Sequence, residues 1–597
     1  MTTVTLASSR ASSLAEVRSE PVVLELQPTA PAVPQSQNAS SSSEVIHRAT
    51  AATAVPSADA NRHEIHDQTS RLPLRKLLTA YSCLAAIYFI SSLDINAAAN
   101  ALPAISRSLN AGTSITWAGA SYLMGQTAFQ PLYGRLSDII GRKPLLLACI
   151  GFLILGDVLC GFAQSAPQLY AWRALSGVGG GGISSLVQIT VSDLVSLRDR
   201  GKYQGLLSGA IGLGSSAGPF LAAAMLARGS TGGQQQEGWR WIFWVPPMLA
   251  AACAGAMWVA LPLKKVEGGW REKVRKIDWV GLGAAVVGVL FVLIPINSGG
   301  STWPWNSALI ISMLVIGGAS LVLFVIVEKR FAALPMIPPR LFGQRSTTVI
   351  YLQSALYNCV WQVDMYFLPV YFQDVRGFAP LQSATLIMPL LLLQSVAGVL
   401  SGPLMTKLTR YGPVLYAGMT LWLLGASMKL LFSRTTPLGL YVSTLVIEGT
   451  GIGFVLQPAL VALQALSQPH DRAVATSTRN LLRALGSVVG VALATAVQFA
   501  VMRAALPADL PESLKTQVLD GSWSAAEAEE GGGVWVDGIL EAKMKGVRAV
   551  FIMLVPMMAV CLLGCVWVPD RVLRGDEGEG EGERGRGRGR GVEGRDA

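Results

Sequence analysis

The chain has little charge. Only 14% of its 597 residues are Asp, Glu, Lys or Arg, against roughly 25% in an ordinary soluble domain. That shortage excludes a water-facing globule as the main body. Histidine is scarce too, with His47, His63, His66 and His470 alone. His63 and His66 have the spacing of a metal-ligand pair, but the polar stretch around them offers no further ligand. No metal centre or other cofactor is implied. The seven cysteines all fall inside apolar runs and make no loop pairs, which excludes a disulfide framework. Cys561 and Cys565, one helical turn apart, read as helix packing. No phosphate-cradling loop occurs, so an ATP-driven pump is excluded. The run Gly177–Gly182 has no strand before it and no Lys-Ser/Thr after it, and reads as a close-packed helix face. No nucleophile–base set is found, so the chain is not read as an enzyme. No basic, apolar and small-residue signal peptide opens it.

Hydrophobic runs are what the chain does have. It is 51% hydrophobic, with mean hydropathy +0.45. A membrane span needs about 20 apolar residues. By that rule about fourteen helices are predicted, near 77–98, 113–133, 145–165, 167–190, 203–227, 241–262, 278–297, 307–327, 347–372, 381–405, 413–432, 438–462, 480–503 and 549–568. The expected fold class is an all-α membrane protein. Residues 1–72, rich in Ser, Ala, Pro and Thr, are expected to be a disordered tail. Residues 569–597, with Glu-Gly and then Arg-Gly repeats, read as a second solvated tail and not as an RNA-binding one. A polar loop at 504–546, carrying Glu527, Glu529 and Glu530, is expected before the last span.

Cations set the orientation. Loops after even-numbered spans hold Arg135, Arg142 and Lys143; Arg198, Arg200 and Lys202; Lys264 to Lys276; Lys329, Arg330, Arg340 and Arg345; Lys407 and Arg410; and Arg472 and Arg479. Loops after odd-numbered spans are nearly free of them. Positive charge marks the cytosolic side, so both termini are expected in the cytosol. The net charge of +10 then reports orientation and not nucleic-acid binding.

Ionisable residues inside spans are costly and point to function. Asp94 in the first span and Arg173 in the fourth each lie about seven residues from the far end, which puts both roughly 10 Å below the far surface. Asp157 and Asp364 reach similar depths, and Glu448 is near the midplane. A belt of carboxylates with one Arg is therefore expected to line a central cavity. A carboxylate raised by burial and lowered by Arg is suited to carrying a proton.

Between the second and third spans runs Tyr133-Gly134-Arg135-Leu136-Ser137-Asp138-Ile139-Ile140-Gly141-Arg142-Lys143-Pro144. It reads as a polar hinge whose two glycines allow a tight turn. Its pattern, G-x-L-x-D-x-x-G-R-K, resembles the loop between helices two and three of the major facilitator superfamily of secondary transporters. Three further stretches resemble that superfamily's fourteen-helix drug:proton antiporter branch. They are Leu93-Asp94 with Ala101-Leu102-Pro103-Ala104-Ile105, Arg173 to Gly177, and Gly214-Ser215-Ser216-Ala217-Gly218-Pro219 with Ala222 and Ala223 at the last two glycine positions. Trp239-Arg240-Trp241 and Arg479-Asn480-Leu481-Leu482-Arg483 are similar to fungal vacuolar permeases for basic amino acids. Gly402-Pro403-Leu404 and Tyr411-Gly412-Pro413 echo the hinge, as an internal duplication would.

The resemblance implies two six-helix bundles, at 73–265 and 346–568, with an inserted helix pair and linkers at 266–345. It implies a monomeric secondary transporter in a lipid bilayer, whose partners are protons and a small-molecule substrate. Asp94 and Arg173 would form the proton-coupling pair, with Asp157, Asp364 and Glu448 around the cavity. Gly134, Asp138, Gly141, Arg142 and Lys143 would form a conformational latch, and Gly214, Gly218 and Pro219 the antiporter motif. The expected activity is antiport of basic amino acids into the vacuole. The alternatives are drug or metabolite efflux at the plasma membrane and a non-transporting nutrient sensor.

Overall fold

The computed structural model describes residues 73–230, 238–261, 269–299, 303–332, 334–520 and 535–573. The calls on residues 1–72 and 574–597, on His63 and His66, and on Glu527 to Glu530 lie outside them. Seventeen α-helices run through the described residues. They are α1 (Leu74–Ser108), α2 (Thr116–Ala128), α3 (Gln130–Ile140), α4 (Arg142–Gly161), α5 (Ala166–Leu194), α6 (Leu197–Ser230) and α7 (Arg240–Ala260). A short α8 (Trp270–Arg275) leads to α9 (Trp279–Ser298) and α10 (Ala308–Arg330). Then come α11 (Arg345–Val370), α12 (Pro380–Leu408), α13 (Gly412–Met428), α14 (Leu438–Leu466), α15 (Arg472–Ala505), α16 (Glu512–Asp520) and α17 (Val536–Gly564).

All fourteen predicted spans are helical, but among the described residues twelve helices are long and apolar enough to cross a membrane. The second predicted span is broken at Phe129, because Pro131 opens α3 and supplies no N–H to continue α2. The ninth corresponds to α11, whose apolar run is diluted by Gln353, Ser354, Asn358 and Asp364. All four are buried, so they face protein and not lipid.

Two boundaries move further. Helix α15 begins at Arg472, eight residues before the expected start. The expected loop at 504–546 holds α16 and the first turns of α17. Val536, Ile539, Ala542, Lys543, Gly546, Val547 and Val550 recur at helical spacing and are buried, so an amphipathic face extends α17 backward.

Helices α1 to α7 pack among themselves, α1 on α6 and α7 and α5 on α2 and α4. Helices α11 to α17 do likewise, α14 on α12 and α13 and α15 on α11 and α17. The two groups meet mainly through α6 on α12 and α3 on α15. Helices α9 and α10 pair with each other, and α9 leans on α2 and α15. The outer faces are apolar: Leu213, Phe220, Val315 and Ile552 are exposed, as lipid-facing residues must be.

Candidate functional site

The deepest charges lie where α1, α4 and α5 meet. Asp94 and Asp157 are 0% exposed and Arg173 is 2% exposed. The Arg173 guanidinium lies 3.1 Å from the Asp94 carboxylate and 3.4 Å from that of Asp157. Ser176 donates to Asp157 at 2.6 Å. The face of Tyr122 covers the guanidinium at 4.5 Å and that of Phe243 at 5.5 Å. Backbone approach makes this possible. A Cβ on Gly156 would come within 2.9 Å of the Ser176 Cα, so only glycine lets α4 this close to α5. Gly214 and Gly218 do the same for α6 against α1. A Cβ at Gly218 would meet the Asn96 side chain at 2.7 Å. Asn96 donates to Ser215 at 3.2 Å, two residues along the chain from Asp94, and Pro219 lies within α6.

A second cluster sits where α11, α13 and α14 meet. Lys429, just past the end of α13, lies 2.8 Å from Glu448 and donates to Asp364. All three are 0% exposed. The expected belt is thereby corrected. The five predicted residues form two separate buried clusters, each around its own cation. The reason is that each carboxylate finds a counter-ion on a neighbouring helix. Lys429 was missed by the sequence reading, although a lone lysine in the apolar run Met428–Phe432 is itself a signal. Each cluster holds two carboxylates and one cation. With both acids ionised, one negative charge would stay uncompensated away from water.

Arg479 needs the same kind of correction. Because α15 starts early, it is a helix-interior residue, 1% exposed, and not a loop cation. Arg200, expected in another loop, is 2% exposed within α6.

The hinge is shorter than expected. Residues 130–140 are helical, and the turn is the single residue Gly141, at φ 111° and ψ 150°. Side chains rarely adopt that conformation. Gly134 makes no turn. It lets α3 approach α15, since a Cβ there would meet the Ala473 carbonyl and the Ser477 hydroxyl at 2.7 Å. Asp138 accepts from Arg142 at 2.6 Å and lies 3.6 Å from Arg135. Arg142 reaches on to Asp193 on α5 at 3.0 Å. Burial raises the Asp138 carboxyl above its ordinary range, while the two guanidinium groups act the other way. Lys143 donates to the Trp258 and Leu261 carbonyls at 2.7 and 3.0 Å, closing the C-terminal end of α7.

The Major Facilitator Superfamily model matches residues 84–491. The chain belongs to the Major Facilitator Superfamily. Among relatives in this superfamily, Citrate exporter 1 of Yarrowia lipolytica is 38% identical over 87% of this chain and 76% of its own. Efflux pump dotC of Dothistroma septosporum is 33% identical over 68% of each chain. The proton:xylose symporter XylE shares the fold, with a TM-score of 0.52 at 13% identity, covering 84% of this chain and 98% of its own. The protein is thus an integral, multi-pass membrane transporter of the superfamily, and its relatives are transporters and not enzymes.

Proposed function

We propose that this protein is a proton-coupled exporter of a small organic solute, working by alternating access with both termini in the cytosol. The observation that carries the coupling is the buried Asp94–Arg173–Asp157 cluster. Its surplus carboxylate sits beside a cation on another helix. A proton taken up there would weaken the Arg173 pair and bias the two helix groups toward a different arrangement. In that account the hinge residues Gly134, Asp138, Gly141, Arg142 and Lys143 form the latch, and Gly214, Gly218 and Pro219 keep α6 close to Asp94. The α1–α7 and α11–α17 groups act as the two moving bundles, with α9 and α10 as the inserted pair of a fourteen-helix scaffold.

The substrate reading shifts away from vacuolar basic amino acids. The relatives carry the names of a citrate exporter and of efflux pumps. The carboxylates expected to attract a cationic solute are already paired with Arg173 or Lys429 in this chain. Efflux from the cytosol across the plasma membrane is the reading they favour, with an organic acid or a secondary metabolite as cargo. The test is flux into inside-out vesicles under an imposed proton gradient, with labelled citrate and labelled lysine as probes. Uncoupler-sensitive citrate accumulation is expected. Uncoupler-sensitive accumulation of lysine alone would restore the amino acid reading, and accumulation indifferent to the uncoupler would remove proton coupling.

A further inference from the structure

Two buried cations within the helices are matched by carboxylates. Arg173 has Asp94 and Asp157, and Lys429 has Asp364 and Glu448. Arg479 breaks the pattern. It donates to the Tyr357 hydroxyl at 2.7 Å and to the Leu456 carbonyl at 2.9 Å, and its Nε has no partner. Arg483, one turn along α15 and half-buried, donates to the Asn358 carbonyl oxygen at 3.2 and 2.9 Å. Neither arginine has a carboxylate within 4.0 Å among the described residues. Like charges one turn apart repel, and a buried guanidinium without a counter-charge costs several kcal/mol.

The surroundings of the two arginines say what kind of group would pair with them. Both arginines act electrostatically on the hydroxyl of Tyr88 on α1, which also accepts from Gln188 of α5 at 3.0 Å. Asn480 donates across to Ser185 of α5 at 3.2 Å. The Gln188 and Asn480 carbonyl oxygens are buried with no partner. The cluster therefore lies where the two helix groups face each other, lined by two guanidiniums, two phenols and amides. We propose that Arg479 and Arg483, with Tyr88, Tyr357 and Asn358 around them, form the binding site for a small organic anion bearing carboxylates. Guanidinium forks bind carboxylate oxygens bidentately, with short charge-assisted bonds. A solute with more than one carboxylate would neutralise both arginines at once, and partners on both groups would let it be handed between their two arrangements. The inference rests on the transporter reading above and names the substrate class for it.

The test is calorimetric binding of citrate to the purified full chain in lipid nanodiscs, with lysine as the cationic comparison. Citrate is expected to bind saturably and lysine is not. Arg483→Gln should weaken citrate binding about tenfold or more, and Arg483→Lys less, because the fork is lost but the charge stays. Arg479→Gln should do the same, and the half-buried Arg483 keeps the test informative if the Arg479 variant fails to fold. Absence of saturable citrate binding to folded wild type, or binding indifferent to Arg483→Gln, would overturn the proposal. The two readings fail separately. Proton-driven flux of a solute without carboxylates, with no citrate binding, would sink the anion site and leave the transporter. Citrate binding lost in Arg483→Gln, with no flux of any solute, would keep the site and sink the transporter.

Discussion

Lys429 and Arg173 answer the same need with different chemistry. Each lies between two buried carboxylates on neighbouring helices. Arg173 is also covered by Tyr122 and Phe243, while Lys429 lies 5.6 Å from the Phe551 ring. Removing one partner from a buried ionic cluster typically costs about 3–5 kcal/mol, because the remaining charge has nowhere to go. Lys429→Met should therefore lower the thermal midpoint of the solubilised protein by several degrees. Adding Glu448→Gln should recover part of the loss, because it removes one stranded charge. A midpoint unchanged by Lys429→Met would mean that the two acids are already neutral. At this scale the Asp94–Arg173 contact was legible, since two opposite charges at equal depth in apolar runs have few other choices. The separation into two clusters was not, because spacing along the chain does not tell which spans are neighbours. Arg479 was placed in a loop because the span was started at 480, eight residues after the helix begins at Arg472.

The elements follow apolar periodicity where it is strong and depart from it where function adds polar residues. Helix α11 falls short as a span in apolar composition, and α2 and α3 fall short in length; all three carry buried polar groups. Helix α3 also shows why the hinge was misread. Polar residues suggested a loop, yet Arg135, Asp138 and Arg142 are buried, with the Asp138 carboxylate close to Arg135 on α3 and to Arg142 across the Gly141 turn. The second copy of the hinge, at Tyr411–Pro413, has no acid of its own. Asp570, from beyond the last helix, accepts from the Gly412 N–H at 3.0 Å and lies 3.7 Å from Arg410. If Asp138 holds the hinge, Asp138→Ala should cut transport about tenfold while leaving membrane insertion and yield intact, since two buried arginines lose their shared acid. Flux per inserted molecule is the measurement, and wild-type flux would remove the latch from the account.

At the scale of the whole molecule the two helix groups repeat each other. Asp94 and Asp364 lie on α1 and α11, which open the two groups. Arg173 and Glu448 lie on α5 and α14, and Asp157 and Lys429 at the ends of α4 and α13. Contact between the groups is also reciprocal, α3 with α15 and α6 with α12. The echo between the Gly134 and Gly402–Pro413 stretches pointed to this duplication, but only the packing shows that the charge clusters repeat with it. The central claim is that the buried cluster at Asp94 ties a proton to the movement of solute. It is tested most directly in proteoliposomes by comparing wild type with Asp94→Asn, in gradient-driven citrate accumulation and in citrate exchange at equal pH. The account predicts that the variant keeps exchange and loses accumulation by about tenfold or more, since the scaffold remains but the proton site is gone. Accumulation at the wild-type level in Asp94→Asn would contradict it.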